Sequence, residues 1–323
     1  MTAIALIGLG DIGLRAHLPA LLRNPDVQLT ALVDPDPARR KLAAEAAPGV
    51  PVHESADALR AADAAVLATP PWITATLIRE QLAAGRHVLA EKPIATDLHT
   101  AESLRGSPHT DRLQVGFTYR HDPAMERLRD WIAAGRLGAP PYLVRAHIYD
   151  ELRDPADPAH ADRIRATLGH GLPVVHDGAH LFDWLWFLLG ERPAVADAWA
   201  VRTAPDAPAA NLTGARLTYP SGTTALVEVG WWADRLPPCE LQLLGDRGHA
   251  VLDCATFRLT LDTAAGREVY DPPGERTERC FDRQLERFVD LTTGRLPRAV
   301  PGLEEGLASL ALSERIAEEA VRA

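Results

Sequence analysis

The sequence predicts an α/β fold of two domains, an N-terminal doubly wound parallel sheet followed by a C-terminal α+β domain whose sheet is mostly antiparallel. Three observations carry this. Short apolar runs alternate with amphipathic helical stretches up to about Gln114. A glycine pattern, Gly8-Leu9-Gly10-Asp11-Ile12-Gly13, interrupts the first of those alternations. After Phe117, runs of alternating polarity follow one another through short turns, the pattern of strands that pair antiparallel. A length of 323 residues exceeds what one core usually organises, so a boundary is placed at 118/119, giving domains 1–118 and 119–323.

Thr2 to Ile7 reads as a buried parallel strand, and a helix over about Ile12 to Arg23 follows the glycines. Gly8 suits the tight turn, Gly10 lets a backbone approach a pyrophosphate, and Gly13 lets the helix pack closely on the strand. Amides at the start of that helix, with Asp11 and Ile12 in its first turn, point at the phosphates. The second strand, Val27 to Val33, ends at Asp34, 21 positions after Gly13, where an acid accepts from ribose hydroxyls. A carboxylate there repels a 2′-phosphate and favours NAD over NADP. Arg39 and Arg40 soften that preference, either by pairing with the extra phosphate or by solvating their helix.

Further along come a helix near Ala38 to Ala46, a brief strand at Pro51-Val52, a strand at Ala64 to Ala68, a helix at Thr74 to Ala84 and a strand at His87 to Ala90. Thr69-Pro70 sits at the carboxyl end of its strand, where open parallel sheets bind ligands. Glu91-Lys92-Pro93 occupies the corresponding place after the next strand. A Lys-Pro bond adopts the cis form at modest cost, and a lysine held in such a turn can donate to a carbinol or carbonyl oxygen as hydride leaves or arrives. The competing reading is a solvated surface lysine.

In the second domain, helices are expected at Pro123 to Ala134, Gly178 to Leu189, Phe281 to Thr292 and Leu303 to Arg322. Strands are expected at Tyr142 to His147, Ala196 to Arg202, Asn211 to Tyr219, Thr223 to Trp231, Glu240 to Leu244, His249 to Leu252 and Phe257 to Leu261. Asp154 to Asp162, rich in Pro, Ala and Asp, reads as a mobile loop. His176-Asp177-Gly178-Ala179-His180 is the second candidate for chemistry: the two histidines share a face if both are helical, and imidazole titrates where a hydroxyl proton must be taken or returned. Against this stand a buried structural histidine, a capping role for Asp177, and a His-x-x-x-His metal pair, for which hydride chemistry has no need. Tyr119 and Arg120, at the crossover Gly116 to Arg120, either reach substrate hydroxyls or pin the interdomain contact. Of Trp231 and Trp232, one is core and the other faces a cleft or subunit interface if both lie on a strand.

Charge and composition exclude some classes. A net charge of -10 without a long basic cluster argues against a nucleic-acid partner. No apolar run approaches the roughly 20 residues of a membrane span, and the N-terminus lacks a basic region followed by an apolar one, so no membrane partner and a cytoplasmic location are expected. Cys239, Cys254 and Cys280 are widely spaced and read as reduced structural thiols.

Together the glycine triplet with Asp34, Ala68-Thr69-Pro70, Glu91-Lys92-Pro93, Gly116 to Arg120, Gly135-Arg136-Leu137-Gly138, and Gly178-Ala179-His180 with Asp183 resemble the glucose-fructose oxidoreductase and inositol dehydrogenase (Gfo/Idh/MocA) family across nearly the whole chain. The resemblance implies a Rossmann domain, an open and largely antiparallel second sheet with helices on one side, a homodimer or homotetramer, and an active site between domains. It matches Lys92 to the family's lysine and His180 to its acid-base histidine. Two departures stand out. Inositol dehydrogenase-like members have Asp where this chain has His176, and a histidine is common near Thr74. The expected activity is NAD(H)-dependent hydride transfer to or from a secondary alcohol or ketone of a sugar, cyclitol or similar small molecule. His176 and Asp177 would tune His180 or contact that substrate. Alternatives are a cofactor-sensing regulator on the same fold and a redox-neutral glycoside-cleaving enzyme that retains NAD.

Overall fold

The structure is a computed structural model describing residues 1–56, 59, 62–154 and 156–322. Its contacts divide the chain into two compact units, Met1–His121 with Gly274–Ala308, and Asp122–Pro273 with Ser309–Ala323.

In the first unit, strands β1 (Thr2–Ile7), β2 (Val27–Val33), β3 (Val52–His53), β4 (Ala64–Leu67), β5 (His87–Glu91) and β6 (Leu113–Gly116) form one sheet in the order β3-β2-β1-β4-β5-β6. Every pairing in it is parallel. The order reverses between β1 and β4, which makes a crevice at the carboxyl ends of those strands. β4 is buried throughout, as a strand with helices on both faces must be. Helices α1 (Leu18–Arg23), α2 (Pro37–Ala46), α3 (Pro71–Ala83) and α4 (Leu98–Glu102) make the connections.

The helix expected from Ile12 is present but carries a π-helical turn. Asp11 and Ile12 are α-helical, with the Leu14 amide donating to the Gly10 carbonyl at 2.8 Å. Gly13–His17 is π-helical, closed by the Leu18 amide donating to the Gly13 carbonyl, and α-helical bonding resumes at Leu18. Pro19 has no amide hydrogen to give to Arg15, so the wider hydrogen-bonding register persists until the proline is passed.

The second unit opens with α5 (Pro123–Ala133). Strands β7 (Leu143–Tyr149), β8 (Ala194–Val201), β9 (Leu212–Thr218), β10 (Thr224–Gly230), β11 (Glu240–Leu244), β12 (Gly248–Asp253), β13 (Leu259–Thr263) and β14 (Gly266–Tyr270) form an eight-stranded sheet in the order β14-β13-β12-β11-β7-β10-β9-β8. Only β7 and β10 pair in parallel; the other pairings are antiparallel. Burial alternates along β10, β11 and β13, so each strand turns one face to the core. Helices α6 (Pro158–Leu168), α7 (Pro173–His176) and α8 (Gly178–Leu189) lie between β7 and β8 in the chain.

Part of the expected loop Asp154 to Asp162 is therefore helical: Asp157 accepts from the His160 amide and starts α6 at Pro158. Pro155, in the same stretch, lies outside the described residues. β14 also goes beyond the strands expected from sequence.

Two helices close the chain, α9 (Arg276–Thr292) and α10 (Leu303–Arg322). The sequence boundary gave residues 119–323 to one domain, yet 274–308 pack with the first unit. Phe281, Leu285, Phe288 and Val289 of α9 are buried in the same cluster as Ile4, Leu6, Leu18 and Leu21. Burying an apolar stripe of that size outweighs adjacency along the chain, since each such side chain contributes about 1.5–3 kcal/mol. Among the described residues, no helix is long and apolar enough to cross a membrane.

Candidate active site

Most of the candidate residues in the first unit lie at the carboxyl ends of its parallel strands: the glycines after β1, Asp34 after β2, Thr69-Pro70 after β4, Glu91 at the end of β5 with Lys92 following it, and Tyr119-Arg120 beyond β6, while Arg39 lies on α2. Gly8 has φ +94°, and a Cβ there would overlap the Ala68 carbonyl. A Cβ on Gly13 would overlap the Gly8 carbonyl. Gly10 differs, because a Cβ there would meet only Arg39 Nη1, at 3.9 Å. The protein's own packing does not require glycine at position 10, so the bare backbone leaves a cradle that suits a closely approaching diphosphate.

Asp34 is buried. Its Oδ2 accepts from the Leu9 amide and its Oδ1 from the Asp36 amide, both at 2.8 Å, which locks the carboxylate beside the glycine turn. Arg39 Nη1 lies 3.8 Å from Asp34 Oδ2 and Arg39 Nε 3.7 Å from Asp36, while Arg40 donates to the Asp34 and Pro35 carbonyls. Asp11 and Ile12 are exposed, and Asp11 lies 3.7 Å from Arg15. Thr74, the departure at the Thr-Pro turn, is buried; its hydroxyl donates within reach of the Thr69 and Pro70 carbonyls and lies 2.8 Å from the Thr69 hydroxyl. It fastens the first turn of α3.

Lys92 is half-buried, and the Lys92–Pro93 peptide is cis. Of the 34 Lys and Arg residues only Lys41 and Lys92 are lysine. Tyr119 is half-buried with the Arg276 guanidinium 5.2 Å from its ring centre, and Arg120 is buried. His121 follows, also buried. Desolvation first, then Arg120, Arg287 and Arg283, push its imidazole well below the ordinary histidine range.

In the second unit, His176 and His180 do not share one continuous helix. His176 ends α7 and His180 lies in α8, with Asp177 at the junction. His176 stacks on Trp231, ring centres 5.2 Å apart and planes 23° apart. Asp177 does not cap α8 through its side chain; its Oδ2 accepts from Trp231 Nε1 at 2.5 Å. Strand β10 stops at Gly230, so the two tryptophans do not alternate across a sheet. Both are buried, Trp231 at 5% exposure and Trp232 at 1%, the latter with φ 65°. His176, Asp177 and His180 are half-buried on one segment, and Asp183 is buried one turn further along α8. Among the described residues, no group of three or more His, Cys, Asp or Glu is arranged to hold a metal ion.

The sequence reading missed His17, whose Nε2 lies 2.9 Å from Glu91 Oε1. Its position four residues after Gly13 is a signal that periodicity treats as a helical polar residue.

A parallel sheet with this strand order and glycine turn is the frame of a dinucleotide-binding domain. Residues 2–114 match the oxidoreductase family with NAD-binding Rossmann fold, and residues 125–251 match the GFO/IDH/MocA C-terminal domain. The chain belongs to the Gfo/Idh/MocA family. It is 30% identical to the rhizopine catabolism protein MocA of Rhizobium meliloti, over 98% of this chain and 94% of the relative. It is also 30% identical to an inositol 2-dehydrogenase of the same species, over 96% and 94%. The crystal structure of a 3-ketoreductase from Actinomadura kijaniata in complex with NADP and TDP-benzene shares the fold, with TM-score 0.81, 24% identity, and coverage of 98% of this chain and 97% of that one.

Proposed function

We propose that the protein is an NAD(H)-dependent dehydrogenase or reductase that moves a hydride to or from a secondary alcohol or ketone carbon of a sugar, cyclitol or similar small polar molecule. The first unit takes the cofactor and the second the substrate. The observation that carries the reading is Lys92, half-buried in the turn after β5, on the same sheet edge as the glycine cradle and Asp34. In a chain that uses arginine for its basic residues almost everywhere, a lysine at this turn supports a need for a compact ammonium.

Gly8, Gly10, Gly13 and the amides of Asp11 and Ile12 would hold the diphosphate, and Asp34 the ribose. When bound, the nicotinamide supplies the two-electron acceptor or donor. Lys92 donates a hydrogen bond to the reacting oxygen and stabilises its alkoxide character. His180 takes the hydroxyl proton in oxidation and returns it in reduction. Asp177 is drawn toward the Trp231 indole, and His176 stacks on the same ring, an arrangement that supports a substrate contact different from that of a carboxylate at 176. Asp34 favours NAD, while Arg39 beside it keeps NADP within reach. The enzyme works in the cytoplasm as a homodimer or homotetramer.

The test is Lys92→Ala, assayed by NADH absorbance against a panel of polyols and keto sugars that includes myo-inositol. Turnover is expected to fall by about 10²-fold or more, with NADH affinity within about threefold of the parent. Parent-level turnover in the variant would remove this mechanism.

A further inference from the structure

Glu91, the last residue of β5, is confined on several sides. Its Oε1 lies 2.9 Å from His17 Nε2, and its Oε2 accepts from the Lys92 backbone amide at 3.2 Å. Gly116 is its register partner on β6, and a Cβ at that position would come within 3.0 Å of Glu91 Cα, Cδ and Oε1. The carboxylate thus sits against bare backbone with little room to turn. His17 is 4% exposed and meets the edge of Phe281 from α9, ring centres 4.9 Å apart at 85°. A carboxylate that uses both oxygens as acceptors needs the hydrogen on Nε2 of the imidazole. A nearly buried charge keeps its place only while such donors remain.

We propose that His17 is a positioning residue for Lys92: by holding the Glu91 carboxylate against the Lys92 amide, it sets the direction in which the ammonium leaves the turn after β5. His17 is also the last residue of the π-helical turn that follows the glycine fingerprint. One imidazole therefore ties the diphosphate-side turn to the lysine turn, and the wide register forced by Pro19 is what carries His17 to that place. The inference rests on the reading of Lys92 given above. A brace that served burial alone would affect stability and leave the ammonium where it is.

The presence of only two lysines makes the ammonium directly observable. Reductive methylation with ¹³C-formaldehyde labels Lys41, Lys92 and the N-terminal amine, and Lys92→Ala assigns the signal in the full chain. In the parent, saturating NADH is expected to shift the Lys92 signal. In His17→Leu, the shift at saturating NADH should fall by at least about half, because displacements near 1 Å are enough to misplace a reacting group. His17→Gln, whose amide can still donate to Glu91, should restore it. An undiminished shift in His17→Leu overturns the role of His17. A parent signal that ignores NADH overturns the reading of Lys92 instead, so the two failures are distinct. Should His17→Leu not fold or not bind NADH, Glu91→Gln is read on the same signal: a reduced shift supports the relay, and a parent-like shift overturns it.

Discussion

Gly10→Ala separates the demands of the ligand from those of the fold with one methyl group. A Cβ at Gly10 has ordinary contact with Arg39 Nη1 at 3.9 Å and nothing nearer, and Gly10 is not among the glycines with positive φ. Alanine therefore fits the folded chain. Where the backbone conformation suits it, Gly→Ala stabilises by about 0.4–1 kcal/mol through the unfolded state. The same methyl occupies the space through which the backbone approaches a diphosphate. Losing one charge-assisted amide–phosphate hydrogen bond costs about 1.5–3 kcal/mol, which is about a 10- to 150-fold weaker Kd. Gly13→Ala is the contrasting control, because its Cβ would overlap the Gly8 carbonyl and so damages folding itself. Thermal unfolding and NADH fluorescence titration of both variants give the comparison. Gly10→Ala should unfold at or slightly above the parent temperature yet bind NADH at least tenfold more weakly. Parent affinity for NADH, or a stability loss above about 1 kcal/mol, would refute the assignment of the cradle.

Phe288→Ala empties a fully buried site of α9 in the first-unit core and should cost about 3–5 kcal/mol in urea unfolding, with faster amide exchange in β1 and α1; a loss under 1 kcal/mol would show that α9 adds little to that core. His121 is buried with its pKa well below the ordinary value, so its stabilising effect is complete above about pH 6.5 and is lost as pH falls, by about 1.4 kcal/mol per unit until the folded-state pKa is reached. Denaturation at pH 7.5 and 5.5 should therefore show a larger acid loss in the parent than in His121→Phe, and equal losses would contradict the sign. Trp231→Phe keeps a ring under His176 but removes the indole donor to Asp177, and should lower stability by about 1–2 kcal/mol, while an unchanged unfolding midpoint would mean the 2.5 Å bond contributes nothing net.

Local chemistry was legible where the chain itself enforces it. β2, α8, β11 and α10 fall where periodicity puts them, to within a residue, because each bears an unbroken apolar pattern with turn residues at its ends. Legibility failed where a neighbour decides. Asp157 and Pro158 start a helix inside a stretch whose Pro, Ala and Asp content reads as loop. Pro19 imposes a π-helical turn that an amphipathic pattern does not reveal. Trp231 and Trp232 would alternate only if both lay on a strand, and β10 ends before them, at Gly230. His176 and His180 have helical spacing, yet a helix junction falls between them.

By itself the sequence determined the glycine turn after β1, an acid at the end of β2, the lysine turn after β5 and most of the strands and helices, since steric limits on glycine and proline and the period of apolar residues are properties of short segments. Tertiary structure alone decided that α9 returns to the first unit, that Asp177 turns toward an indole rather than capping its helix, and that His17 meets Glu91. Each of these joins residues distant in the chain, and the burial and hydrogen bonding that select them exist only once the segments have packed.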